Sequence, residues 1–345
     1  MKKVCILGHF AFGQNLLNGQ TVKTKIVSEE LDKIFPDNVV KIDTCGGIKT
    51  LIKAPFHVFK ALKSSENVVI FPAHRGLRVY APLLSVMKPL FRKRKLHYAV
   101  IGGWLASFLN KKPFLKRSLK KFHGIYVETS TMKKALEELG FKNIVIMPNC
   151  KELPIIEKED LASPSSEPYK LCTFSRVMRE KGIEDAINAV KHANSMAGRT
   201  VYTLDIYGQV DSGQIEWFEE LQKSFPDFVK YGGLVQFDKS VEALKDYFAL
   251  LFPTRFYTEG IPGTIIDAYA AGVPVISARW ESFADIVDDG ITGIGYAFGN
   301  TNEFSSLLAD SDELVSRINA MKTACIEKAN LYLPKTAISV LAERM

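Results

Sequence analysis

"ALLFPTRFYTEGIPGTIIDAYAAGVPVIS", residues 249–277, reads as strand, turn, helix and strand. "ALLFP" (249–253) and "VPVIS" (273–277) are apolar runs of strand length, and "TIIDAYAAG" starts a helix behind Gly260, Pro262 and Gly263. A strand–helix–strand unit of this kind lays its strands parallel in one sheet. The alternation continues outward. Upstream lie "KLCTFS" (170–175) and "VYTLDIYG" (201–208). The first half offers strands at 3–8, 38–43, 67–72, 97–102, 124–128 and 143–148, with helices such as 21–35 and 130–140 between them. The expected fold class is α/β, with two Rossmann-like, doubly wound parallel-sheet domains facing across a cleft. Residues 1–150 make the first domain, 151–169 a linker rich in Pro, Ser and acid, and 170–325 the second. The helical stretch 326–345 is expected to pack back toward the first. Open parallel sheets bind ligands beyond the carboxyl ends of their strands, so site residues belong just after strands.

A chain of 345 residues is long for one core, which agrees with two domains. No apolar run approaches the ~18 residues of a spanning helix. The N-terminal apolar run ends at Gly8-His9 with no small-residue cleavage site after it. Five cysteines, odd in number and in no metal-ligand spacing, read as reduced thiols of a cytosolic chain. Charge is unevenly divided. Residues 1–150 hold 26 Lys+Arg against 9 Asp+Glu, a net of +17, and the remainder holds 19 against 29, a net of −10. Between Glu66 and Glu128 stand 13 basic residues and no acid. The first half therefore faces something anionic, and the second does not.

Two carboxylates bracket the turn in the opening stretch. Glu259 stands just ahead of Gly260, and Asp267 lies one turn into the helix. Gly260, Pro262 and Gly263 leave the helix's first amides uncovered, an anion site suited to a phosphate or a sugar hydroxyl. Glu259 can accept hydrogen bonds from hydroxyls, and Asp267 can hold a vicinal diol such as a ribose. Either acid alone also fits a plainer role, as a dipole cap or a surface charge. Both together fit it less well, because Ile265, Ile266, Ala268 and Ala270 flank Asp267, an awkward setting for an idle charge. A second cluster, "FSRVMREKGIEDAINAV" (174–190), puts Arg176 and Lys181 between a strand end and a helix starting at Gly182. Two cations there suit a diphosphate, Arg engaging two oxygens at once and Lys supplying a point charge. A solvated charge run fits the same residues, as it does Arg179 and Glu180.

At these motifs the sequence resembles the retaining glycosyltransferase family four (glycosyl transferases group one), of GT-B fold. "RVMREKG" (176–182) and the frame "EGIPGTIIDAYAAGVPV" (259–275) carry the resemblance, with "LDIYG" (204–208), "MPN" (147–149) and "DIVDDGITG" (285–293) beside them. It covers the second domain strongly and the first by architecture. The resemblance implies that Arg176 and Lys181 neutralise the diphosphate of a nucleoside-diphosphate sugar as the sugar leaves. It implies that Glu259 holds hydroxyls of the donor sugar, and that the amides of Gly263, Thr264 and Ile265 approach sugar and phosphate. Asp267 stands where the family usually has Glu, and grips the ribose with an arm one methylene shorter. Transfer proceeds with retention, the departing phosphate assisting the incoming hydroxyl. No metal or other cofactor is implied, since cations and helix dipoles stabilise the leaving diphosphate.

The first domain is read mainly through the same resemblance. The Gly-rich stretch 8–24, with Gly13 inside it, stands where the family has a loop facing the donor phosphates. A flexible turn is the alternative, and Lys23 and Lys25 equally fit solvated helix positions. "FPAHRG" (71–76) sets His74 and Arg75 after a strand, and with His9 they are the acceptor-side candidates. Many relatives carry a His after the next strand, where this chain has Gly102-Gly103-Trp104. The segments "MKPLFRKRKLHY" (87–98) and "SFLNKKPFLKRSLKKFHG" (107–124) interleave Phe and Leu with cations, which suits an anionic membrane surface or a lipid-linked diphosphate saccharide. Nucleic acid is not expected, for want of any recognised motif. The expectation is a cytoplasmic transferase, peripheral at the inner face of the cell membrane, moving a sugar from a nucleotide sugar (UDP by default) to a saccharide or lipid-linked acceptor of capsule, O-antigen or exopolysaccharide synthesis. Its rivals are a soluble transferase acting on a small molecule, a non-catalytic nucleotide-sugar-binding subunit, and a basic nucleic-acid-binding protein, which would show steep salt-dependent DNA or RNA retention and no nucleotide-sugar binding.

Overall fold

The computed structural model describes residues 1–13, 19–162 and 166–345, with Ile48 and Lys49 described by their backbone alone. The chain forms two compact units, Met1–Glu152 with Leu333–Met345, and Leu153–Tyr332.

Unit 1 holds β1 (Lys2–Gly8), β2 (Val39–Asp43), β3 (Ser65–Ile70), β4 (Lys95–Ala99), β5 (Gly124–Val127) and β6 (Ile144–Ile146). They make one parallel sheet of order β2-β1-β3-β4-β5-β6. Alternate side chains go to opposite faces, and helices cover both, so the central strands bury apolar residues on each face. Cys5, Leu7, Val68 and Ile70 pack with the helices Ala54–Ser64 and His74–Met87. Val4, Ile6 and Val69 pack with the helix Gly19–Ile34 and with Ala337, Ile338 and Leu341 of the helix Pro334–Ala342.

Unit 2 holds β7 (Tyr169–Phe174), β8 (Tyr202–Tyr207), β9 (Val229–Gly233), β10 (Ala249–Phe252), β11 (Val275–Arg279) and β12 (Gly293–Ala297). Its parallel sheet has the order β12-β11-β10-β7-β8-β9. The boundary between the units falls at Glu152, so much of the stretch expected as a linker belongs to unit 2. Leu153 is buried in that core, and the Ile156 amide donates to the Ala270 carbonyl at 3.0 Å. Residues 326–332 also stay with unit 2, and unit 1 resumes at Leu333.

Each sheet reverses its direction of winding once, between β1 and β3 in unit 1 and between β7 and β10 in unit 2. Loops leaving the carboxyl ends on either side of such a reversal diverge and open a crevice. In unit 2 those loops begin at Ser175 and Pro253, which are the starts of the two charged motifs.

Candidate active site

The β7 loop of unit 2 is built to lie on the end of β10. Arg179–Lys181 forms a single 3-10 turn, and Gly182 follows at φ +71° to start the helix Ile183–Ala197. A Cβ on Gly182 would stand 1.9 Å from the Pro253 carbonyl oxygen, so only glycine permits both the left-handed backbone and this approach. The loops are tied twice more. The Arg255 amide donates to the Glu180 carbonyl at 2.8 Å, and the Arg255 guanidinium donates to both Asp185 carboxylate oxygens at 2.7 and 2.9 Å.

This clamp brings Lys181 against Glu259. The Lys181 ammonium donates to Glu259 Oε1 and lies 5.1 Å from the Phe256 ring centroid and 5.5 Å from that of Phe252. The pair is only partly open, Lys181 being 18% and Glu259 17% exposed. Thr254 adds a hydroxyl donor to the same Glu259 oxygen at 3.3 Å. The helix Gly263–Ala270 begins beside them with Pro262 as its N-cap and no side-chain cap. Thr264 donates its hydroxyl to the Phe174 carbonyl, which pins this helix start to the end of β7. The Ile265 amide turns back to the Pro262 carbonyl at 3.1 Å. Of the three amides expected to meet a ligand, it is thus already engaged within the turn.

Arg176 stands apart from that pair, 65% exposed, with its guanidinium 3.5 Å from Asp211. Asp211 follows β8 and also accepts the Gly213 amide at 3.0 Å. Asp267 is 3% exposed, and its Oδ1 accepts from the Ser240 hydroxyl at 2.8 Å. The structure therefore gives the two acids of the motif different settings, Glu259 beside a cation and Asp267 enclosed beside a hydroxyl.

In unit 1 the three acceptor-side candidates converge. A pocket of about 450 Å³ is lined by His9, Gln20, His74, Arg75 and Tyr80 among others. His9 hydrogen-bonds Thr21 at 2.8 Å. The His74 ring stacks on Trp104 with centroids 3.9 Å apart, which holds the imidazole in place. Asp43, at the end of β2, accepts the amides of Phe10 (3.0 Å), Phe12 (3.1 Å) and Cys45 (2.8 Å) and so fixes the loop after β1. Gly13 ends the described part of that loop at φ +77°, and residues 14–18 of the Gly-rich stretch lie outside the described residues. Lys23 is not a solvated helix position. It is 4% exposed and paired with the equally buried Glu128 at 2.5 Å.

Residues 168–311 match the family model of glycosyl transferases group 1. They form a group 1 glycosyltransferase domain. A 41.2 kDa uncharacterized protein in the cps region of Klebsiella pneumoniae is 26% identical over 188 residues, 54% of this chain and 49% of its own. Amylovoran biosynthesis glycosyltransferase AmsK of Erwinia amylovora is 22% identical over 146 residues, 41% of this chain and 35% of its own. The chain thus spans about half the length, or less, of these curated relatives. Anabaena Alr3699/HepE in complex with UDP superposes with a TM-score of 0.74 over 99% of this chain and 98% of that one, at 14% identity. The shared fold is GT-B.

Beneath the glycosyltransferase motifs lies a polar layer that sequence reasoning missed. The Tyr247 hydroxyl, just before β10, donates to Asp205 at 2.6 Å and meets the Tyr207 hydroxyl at 2.9 Å. Burial first, and then these bonds, push its ionisation far above the usual tyrosine range, so it stays a donor. Lys322 reaches the Tyr247 carbonyl at 3.1 Å, and burial pulls its ammonium down to about 8. The rule that site residues follow strand ends also applies to Asp211. Ser240 carried no such signal.

Proposed function

We propose that this chain is a retaining, metal-independent glycosyltransferase that takes its sugar from a nucleoside-diphosphate sugar, UDP-linked by preference. The observation that carries the proposal is the Lys181–Glu259 pair beside an uncapped helix start, at the winding reversal of the group 1 domain. Arg176 and Lys181 take the diphosphate, with Gly263 and Thr264 at the positive end of the helix dipole. Glu259 accepts hydroxyls of the donor sugar. Asp267 serves the ribose, exchanging its bond to Ser240 for one to the nucleoside. The bond from the anomeric carbon to the phosphate breaks, the bond to the acceptor oxygen forms on the same face, and the hydroxyl proton passes to the departing phosphate. Electrostatic stabilisation of that leaving group is the main catalytic effect, so neither acid acts as nucleophile.

The acceptor in this reading is a saccharide, lipid-linked and bound for a surface polysaccharide, with His9, His74 and Arg75 lining its side and Gly13 in the loop toward the donor phosphates. Amylovoran biosynthesis in the AmsK name and UDP in the HepE complex support this assignment. The chain then works at the cytoplasmic face of the membrane. No described helix is long and apolar enough to cross a membrane. The test is a panel of nucleoside-diphosphate sugars without acceptor, following thermal shift and slow hydrolysis together. Stabilisation and hydrolysis by one donor are expected. Binding with no transfer to any saccharide or lipid-linked acceptor would favour the non-catalytic subunit instead.

A further inference from the structure

We propose that the face of unit 1 made by the helix Ala54–Ser64 and the turn Lys88–Phe91 docks onto an anionic lipid bilayer. The inference rests on the reading that the enzyme works at a membrane, and it names the surface that does so. The helix is split lengthwise. Ala54, Val58, Ala61 and Leu62 are buried in unit 1. The opposite side carries Phe56, 67% exposed, and Phe59, 43% exposed, and just ahead of it Ile52, which ends the preceding helix Gly47–Ile52, is 74% exposed. The two phenylalanines follow helical spacing, with exposed Lys53, Lys60 and Lys63 beside them. The Phe59 ring meets that of Phe91 edge-on with centroids 5.9 Å apart, so the turn belongs to the same face. It adds Leu90, 77% exposed, with Lys88, Arg92 and Lys93 beside it.

Charge selects the occupant. Between Asp43 and Glu128 the sequence holds 17 Lys and Arg and a single acid, Glu66, which is already paired with Lys3 at 3.1 Å. Apolar side chains set among unopposed cations match the boundary between anionic headgroups and acyl chains. The basic segment 107–124 is different. Leu109, Leu115, Leu119 and Phe122 are buried there, and Phe114, at 65%, is its one large exposed hydrophobic residue among the described residues. It supplies long-range attraction with little to insert.

The experiment is flotation of the whole chain with phosphatidylcholine vesicles, with and without phosphatidylglycerol. Binding is expected only with phosphatidylglycerol, and weakened by salt. Phe56→Ser with Leu90→Ser should reduce it by about tenfold or more, since two large side chains no longer leave water. Lys53→Glu with Lys60→Glu should reduce it similarly, while Lys116→Glu with Arg117→Glu, a matched loss of charge, should cost clearly less. Donor hydrolysis and the thermal midpoint of the Phe56/Leu90 variant should match those of the parent, which separates docking from folding and catalysis. Equal losses in both charge variants would overturn the assignment, as would retention of nucleic acid in place of vesicles, or self-association abolished by Phe56→Ser. Vesicle binding without donor hydrolysis in the parent chain would instead sink the enzymatic reading and leave the surface standing.

Discussion

The Lys181–Glu259 pair can be tested as a coupled unit. Lys181→Met removes the ammonium while keeping an apolar chain of similar length between Phe252 and Phe256. Glu259 is then left with Thr254 as its remaining described side-chain donor, at 17% exposure. Stranding one partner of a fully buried pair costs about 3–5 kcal/mol, and this partial opening to solvent brings the expectation to about 2–3 kcal/mol. For a unit of this size that is a midpoint drop of roughly 4–12 °C. Glu259→Gln should cost a similar amount by stranding Lys181. The double variant strands neither charge, so its loss should fall short of the sum by at least about 1 kcal/mol. The assay is denaturant unfolding followed by tryptophan fluorescence in a Trp104→Phe background, leaving Trp217 and Trp280 to report on unit 2. A ligand arm extends the same logic. If a diphosphate displaces Glu259 from Lys181, Glu259→Gln should bind free UDP at least as tightly as the parent while losing affinity for the UDP-sugar. Additive single losses, or equal weakening of both ligands, would refute the reasoning.

Three further expectations come from single contacts. Gly182→Ala combines a left-handed backbone, worth about 1–2 kcal/mol against alanine, with a Cβ 1.9 Å from the Pro253 oxygen. Unfolding should show a loss above about 2 kcal/mol, and a donor-induced thermal shift that vanishes with it. Asp267→Glu keeps the carboxylate but adds a methylene at a site only 3% exposed. Calorimetry should show donor affinity held or improved, while stability falls by about 1–3 kcal/mol from overpacking; an unchanged midpoint would mean the helix start gives way freely. His97 accepts from or donates to Tyr126 and Asn67 at 2.9 and 3.1 Å, and burial, aided by nearby His123 and Lys95, pulls it from 6.5 down to about 3. Below pH 6.5 the unfolded chain takes a proton that the folded one refuses, so stability falls by up to about 1.4 kcal/mol per pH unit. Urea midpoints at pH 7 and 5 should show that loss in the parent and not in His97→Gln.

Residues at the ends of central strands were the legible part of this sequence. Arg176, Lys181 and Glu259 lie in the loops that leave β7 and β10, where the winding reversal falls, and that placement after strands is what the sequence shows. The edge strands β9 and β12 were not read as strands. "VKYGG" and "GIGYA" carry two glycines each, which breaks the apolar alternation that marks a strand. Gly293 has a packing reason, since a Cβ there would lie 2.4 Å from the Val275 carbonyl oxygen. The Lys23–Glu128 pair was illegible for another reason. Its members are 105 residues apart, and Lys23 alone looks like any basic helix position until the fold brings a carboxylate to it.

The same distinction bears on the two acids that open the motif. Flanking isoleucines and alanines made Asp267 an improbable idle surface charge, and its burial agrees with that reasoning. What those neighbours do not encode is Ser240, 27 residues earlier, whose hydroxyl satisfies the carboxylate from outside the motif. A buried acid already holding a hydroxyl can exchange it for a ribose hydroxyl at little net cost, because one hydrogen bond replaces another of the same kind. Glu259 faces a steeper exchange. In the proposed donor complex it must leave a cation for neutral hydroxyls, and that is favourable only when a more highly charged anion takes Lys181 in its place. On the proposed roles, diphosphate and sugar binding are coupled through one ammonium, so a free sugar should bind this site poorly and a nucleotide sugar well.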